Sequence, residues 1–167
     1  MYRLKDFLNM KILDSSGKGI GVIGDITLNF KDRYIEGFAV NGNTLFHRSN
    51  KVAYTKDIIY CGERMIVCRL HEGKQLIFKD VKGMEVVDIF GNIIGIVEDI
   101  IFDVEYKIKG IIVCPGILKK FYEGKRILLI SEVIFGERNV LFHGSNKFKM
   151  ISEMHRISSL RGDVCNE

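Results

Sequence analysis

The chain has 167 residues, 47% apolar and 28% charged, with a net charge of +4 from 25 Lys and Arg against 21 Asp and Glu. This is the composition of one ordinary globular domain or two small ones, and it excludes a disordered chain or a disulfide-built miniprotein. The longest apolar runs, such as Ile111 to Leu118, fall short of the roughly 20 residues a membrane helix needs.

Read in chain order, the first predicted element is a short strand, Lys11–Leu13. Asp14 and Gly17 then bracket a type I turn: Asp at the first position bonds the backbone, and Gly at the last accepts the exit geometry. A longer strand, Ile20–Asn29, follows, then Gly37–Val40, a loop from Asn41 to Lys51, Val52–Tyr54 and a closing strand Met65–Cys68. The β-branched residues, short segments and intervening Gly, Asp and Asn favour strands over helices. After the polar junction "RLHEGKQ", read as a linker, the order recurs: Glu85–Val87, a turn at Asp88 and Gly91, Ile94–Asp103, Gly110–Val113, a loop from Pro115 to Arg126, Ile127–Ile130 and Val140–Phe142. Alternation breaks near Glu98–Asp99, where a β-bulge is expected. The tail carries Phe148, Ile151, Met154, Ile157 and Leu160 at helical spacing before Gly162, which predicts a short amphipathic helix.

The recurrence is a repeat. A shift of 74 residues superimposes Met10 on Met84, Asp14 on Asp88, Gly17 on Gly91, Gly21 on Gly95, Asp25 on Asp99 and Gly62-Glu63-Arg64 on Gly136-Glu137-Arg138. A shift of 73 aligns Ile35 with Ile108, Gly37 with Gly110 and Val40 with Val113. The expected organisation is therefore a first copy over 1–70, a second over 76–143 and a partly helical tail over 144–167. Five or six short strands per copy is the pattern of a small barrel or sandwich. Copies of this size make marginal cores alone, so the two are expected to pack together.

The repeat decides how to read Gly19-x-Gly21-x-x-Gly24, the spacing of a dinucleotide-binding loop. In the second copy Gly19 becomes Ile93 and Gly24 becomes Glu98, and the residues after Gly24 read as strand where the motif requires a helix. Nucleotide binding is set aside, and no cofactor is expected.

The stretch Gly83-Met84-Glu85-Val86-Val87-Asp88-Ile89-Phe90-Gly91-Asn92-Ile93-Ile94-Gly95-Ile96-Val97-Glu98-Asp99-Ile100 resembles the opening of a PRC-barrel domain. The first copy resembles it through Leu13-Asp14, Gly17, Ile20-Gly21 and Asp25-Ile26, with Asn9 in place of the first Gly. Together the two copies cover about 85% of the chain. The resemblance implies an all-β fold of two tandem small β-barrels and a non-catalytic adaptor that binds protein. It also admits an RNA- or ribosome-associated maturation factor, or a sporulation-linked bacterial protein.

Chemistry-bearing residues are sparse. Cys68-x-x-His71 with nearby Cys61 has the outline of a metal site, but the shift of 74 sets Phe142 opposite Cys68 and Phe135 opposite Cys61, so both thiols read as buried small hydrophobes. No histidine recurs between copies and no GxSxG is present, so no metal and no catalytic residue is assigned. Asp14, Asp88, Asp25 and Asp99 read as turn caps and strand ends. The partner-binding candidates lie in the two hairpin loops: Phe46 and Arg48 in the first, and Lys119, Lys120, Phe121, Tyr122, Lys125 and Arg126 in the second. Aromatics beside cations suit protein hot spots and also stacking on single-stranded RNA. The four cysteines form no CxxC pair, and Arg3, Lys5 and Asp6 interrupt any secretory signal. A cytoplasmic protein with a protein partner, and with homo-oligomerisation open, is the resulting expectation.

Overall fold

The computed structural model describes residues 1–42, 51–73, 75–115 and 124–144. The expected C-terminal helix and most of both hairpin loops lie outside the described residues. Within them the fold is all-β. The first half contributes β1 (Tyr2–Arg3), β2 (Lys11–Leu13), β3 (Gly19–Asn29), β4 (Tyr34–Asn41), β5 (Lys51–Tyr54), β6 (Ile58–Cys61), β7 (Met65–Val67) and β8 (His71–Glu72). The second contributes β9 (Glu85–Asp88), β10 (Ile93–Phe102), β11 (Ile108–Cys114), β12 (Arg126–Leu129), β13 (Val133–Phe135) and β14 (Asn139–Phe142). Single 3-10 turns at Leu4–Asp6, Thr55–Asp57, Phe78–Asp80 and Ile130–Glu132 link them.

The strands form two sheets of seven. One runs β6-β7-β2-β3-β4-β5-β8, and the other runs β12-β11-β10-β9-β14-β13 with β1 added to β10. Each path is open in its hydrogen-bonding order, and each contains one parallel pair, β2 with β7 and β9 with β14. Local chemistry fixes the matching hairpins. Asp14 Oδ1 accepts the amides of Ser16 (2.9 Å) and Lys18 (3.0 Å), and Asp88 Oδ1 accepts those of Phe90 (2.9 Å) and Asn92 (2.8 Å). Gly17 and Gly91 close the two turns at φ +84°, a conformation that costs glycine nothing. Behind them, a Cβ on Gly21 would meet the Asn41 carbonyl oxygen at 2.4 Å, and one on Gly95 would meet that of Cys114 at 2.4 Å. These glycines recur because β3 and β10 press their backbones against the next strand. The glycine-rich stretch therefore runs straight into β3, where no helix N-terminus exists for a phosphate. The expected bulge is present between Val97 and Asp99, and again between Ile23 and Asp25.

The two halves exchange their leading segments. β1 pairs with the second half's β10 (Tyr2 with Phe102, Arg3 with Ile101), while the corresponding residues of the second copy lie against β3. There Ile77 bridges Thr27, and Leu28 N donates to Leu76 O at 2.9 Å. Each segment then forms its 3-10 turn and returns home through a positive-φ residue, Asn9 (φ 66°) or Gly83 (φ 90°). Asn replaces Gly there because its short side chain tolerates the left-handed region. A second reciprocal contact joins the hairpin tips: Ile35 N donates to Tyr106 O at 2.9 Å, and Ile108 N to Arg33 O at 2.8 Å. Each residue bonds its partner's counterpart, which is the signature of two-fold symmetry. A local axis thus passes beside the Tyr34–Lys107 bridge.

One continuous apolar core runs through both halves, with Ile12, Ile23, Ile26 and Phe38 on one side and Val86, Ile100, Phe102 and Ile111 on the other. Phe7 stands between Phe38 and Phe102, its ring centre 5.2 and 5.4 Å from theirs. Phe30 and Phe135 stack at 3.8 Å across the halves.

Two sequence readings need correction. The strand pairings set Met65 opposite Val140, a shift of 75, because one extra residue enters the second copy's last turn. Cys68 therefore corresponds to His143, not Phe142, and it is exposed where a buried hydrophobe was expected. Cys61, partly buried against the core, does occupy the place of Phe135. Asp25 is not at a strand end either. It is buried at the bulge of β3, where Oδ1 accepts the Ile26 amide at 2.8 Å and Oδ2 accepts that of Lys79 in the other half at 3.0 Å.

Candidate functional site

The polar residues the chain brings together most closely lie at the first half's outer edge. β5 ends at Tyr54, and the 3-10 turn Thr55–Asp57 carries Asp57 inward until 4% of its surface remains exposed. The junction after β7 doubles back as β8 and pairs with β5, Val52 opposite His71 and Lys51 opposite Glu72. This pairing delivers His71 Nε2 to Asp57 Oδ2 at 2.7 Å and Arg69 Nε to Asp57 Oδ1 at 3.1 Å. Burial alone would raise the Asp57 pKa, but the hydrogen bonds from His71 and Arg69 outweigh it and hold the carboxyl below its usual range. His71 Nε2 and both Asp57 oxygens are thus engaged, and the group acts as a clamp that fastens the junction to the sheet edge.

Beside the clamp, Tyr34, Glu36, Tyr54, Thr55, Lys56 and Gln75 line an open groove of about 570 Å³. The Tyr34 and Thr55 hydroxyls are 2.8 Å apart, Gln75 Nε2 donates to the Tyr54 hydroxyl at 2.8 Å, and the Lys56 ammonium sits 5.6 Å from the Tyr54 ring centre. Two rings flanked by a cation and a carboxylate can grip a side chain of a partner protein. The groove is particular to the first half, because the shifts put Lys107, Lys109, Leu129, Ile130 and Ser131 at the matching places.

The residues proposed from the loops are mostly out of view: Phe46, Arg48, Lys119, Lys120, Phe121 and Tyr122 lie outside the described residues. Lys125 and Arg126 are described, Lys125 paired with Glu98 and Arg126 opening β12. Sequence reasoning missed the clamp because it discounted any histidine that did not recur. The available signal was the opposite one: Asp57 becomes Glu132, Arg69 becomes Gly144 and His71 becomes Asn146, so the change coincides at all three positions.

Exposed apolar side chains gather elsewhere, at the tip of the β9–β10 hairpin. Phe90 is 78% exposed, with Ile89 and Ile93 beside it, where the first half has Ser16, Ser15 and Gly19. Among the described residues, no group of three or more His, Cys, Asp or Glu is arranged to hold a metal ion, and no helix is long and apolar enough to cross a membrane.

The family model for the PRC-barrel domain matches this sequence twice, over residues 1–72 and over residues 73–142. No curated protein matches it.

Proposed function

This chain belongs to the PRC-barrel domain family, with two such domains in tandem, and on that premise we propose that it is a non-catalytic adaptor that binds a protein partner in the bacterial cytosol. The observation that carries the proposal is the filled interior. Ile12, Ile23, Ile26, Phe38 and Met65 in one half, and Val86, Ile100, Phe102, Ile111 and Leu128 in the other, are buried to 1% exposure or less. A fold whose centre is packed to crystal-like density offers its surface, not its interior, to other molecules. In this reading each half is a small barrel, the tail closes one barrel end as a short helix, and contact is made through the hairpin loops, with Phe46, Arg48, Lys119, Lys120, Phe121, Tyr122, Lys125 and Arg126 as contact residues.

A second reading, association with RNA or the ribosome, draws on one feature, the four cations Lys119, Lys120, Lys125 and Arg126 beside Phe121 and Tyr122. Affinity capture with the tagged full chain, with and without nuclease, separates the two. A partner protein retained after nuclease supports the adaptor. Loss of everything captured, together with steep salt dependence of RNA binding, supports the RNA reading.

A further inference from the structure

The edge of β5 is covered by β8, whereas among the described residues no strand pairs with β12 on the side away from β11. The shift of 75 that relates β5 to β12 relates β8 to Asn146 and Lys147 of the chain's own tail. The tail is a poor copy of β8. In the first half, Glu72 faces Lys51; at the same register Lys147 would face Arg126, and like charges directly opposite on neighbouring strands repel. The clamp is also lost, since Gly144 and Asn146 stand where Arg69 and His71 hold Asp57. The slot that the first half offers its continuing chain, at Thr27 and Leu28, has its counterpart at Ile101 and Phe102, and β1 already fills it.

We infer that β12 is a docking strand for an extended, acidic segment of a partner protein, which adds antiparallel to the sheet as β8 adds to β5. The inference rests on the adaptor reading and deepens it. The charge fits: the loop and strand from Pro115 to Leu129 carry Lys119, Lys120, Lys125 and Arg126 against a single carboxylate, Glu123. The side chains fit as well. Leu128 is buried beneath the sheet, while Leu129 is 53% exposed and Ile127 half-buried on the other face. The matching segment therefore has apolar residues opposite Leu129 and Ile127 and acidic residues opposite Arg126 and Lys125. Main-chain hydrogen bonds supply affinity, and the alternate side chains supply selectivity.

The test uses the full chain and a labelled peptide of sequence valine-threonine-valine-glutamate-glutamate, with a counterpart ending in two lysines. Expected results are binding of the acidic peptide only, slowed amide exchange at Ile127, Leu128 and Leu129, and about tenfold weaker binding in the Lys125→Glu, Arg126→Glu variant. A Lys82→Glu control, folded by circular dichroism like the double variant, binds as the parent does. Equal binding of both peptides overturns the inference. So does β12 protection that is already present without peptide and disappears when residues 145–167 are removed, which would make the tail the occupant. Protection of the same amides by a uridine dodecamer in preference to the peptide overturns it as well. If the double variant still captures the cellular partner, the docking strand is wrong and the adaptor stands; if the parent chain captures no protein, the adaptor reading itself fails.

Discussion

Carboxylates divide into two groups by what surrounds them. Asp25 and Asp99 have their pKa raised from 3.8, chiefly by burial, which outweighs the amide hydrogen bonds they accept. Asp14 is held below that value by the Ser16 hydroxyl and Asp88 by the Asn92 side chain, while hydrogen bonds outweigh burial at Asp57. The sign follows from proton uptake. A raised carboxyl binds its proton more tightly when folded, so its contribution improves as pH falls from 7 towards 3.8; a depressed carboxylate loses its contribution as pH falls below 3.8. Thermal midpoints should therefore peak in mild acid and fall on either side, and the rise from neutrality should shrink in the Asp25→Asn, Asp99→Asn double variant. A flat profile in the parent from pH 7 to 4 would contradict the assignment. At the clamp, His71→Ala should lower the midpoint and speed amide exchange in β8 more than in β7, because β8 loses its anchor while β7 keeps two strand neighbours.

Among the elements, the two hairpins that open the halves carry paired glycines with different duties, and substitution separates them. Gly91→Ala meets only the left-handed backbone, with nothing within 4 Å of the new methyl, and should cost about 1 kcal/mol. Gly95→Ala drives a methyl towards the Cys114 oxygen and the Val113 side chain, and should cost about 1–3 kcal/mol because the strands must part. Denaturant titration of the two variants checks the order. These hairpins were legible beforehand because Asp, Gly and β-branched residues at fixed offsets express local geometry. The strands β6 and β13 were passed over because Ile59, Tyr60 and Ile134 face solvent and break the alternation by which a half-buried strand is recognised. The clamp was illegible for another reason: Asp57 and His71 are 14 residues apart, and only the β5–β8 pairing brings them together.

For the molecule as a whole, the repeat announced two units but could not reveal their exchange, since leading segments of two or three residues carry no periodicity and would pair equally well at home or across. The exchange has a measurable effect. Removing residues 1–3 should speed amide exchange about tenfold or more at Ile101 and Phe102, some hundred positions along the chain, while leaving Thr27 and Leu28 protected. With Phe7 wedged between Phe38 and Phe102 and Phe30 stacked on Phe135, the chain should also melt in a single transition, its calorimetric and van't Hoff enthalpies agreeing.

A chain made from its N-terminus meets that crossing as a scheduling problem. The earliest-made sheet stays short of a neighbour beside Thr27 until Leu76 and Ile77 have left the ribosome, whereas the later one is finished by Tyr2 and Arg3, which were waiting from the start. The portion synthesised first therefore cannot reach its final form alone, and a ribosome stalled before Leu76 would hold an incomplete sheet with β3 open to whatever strand comes near.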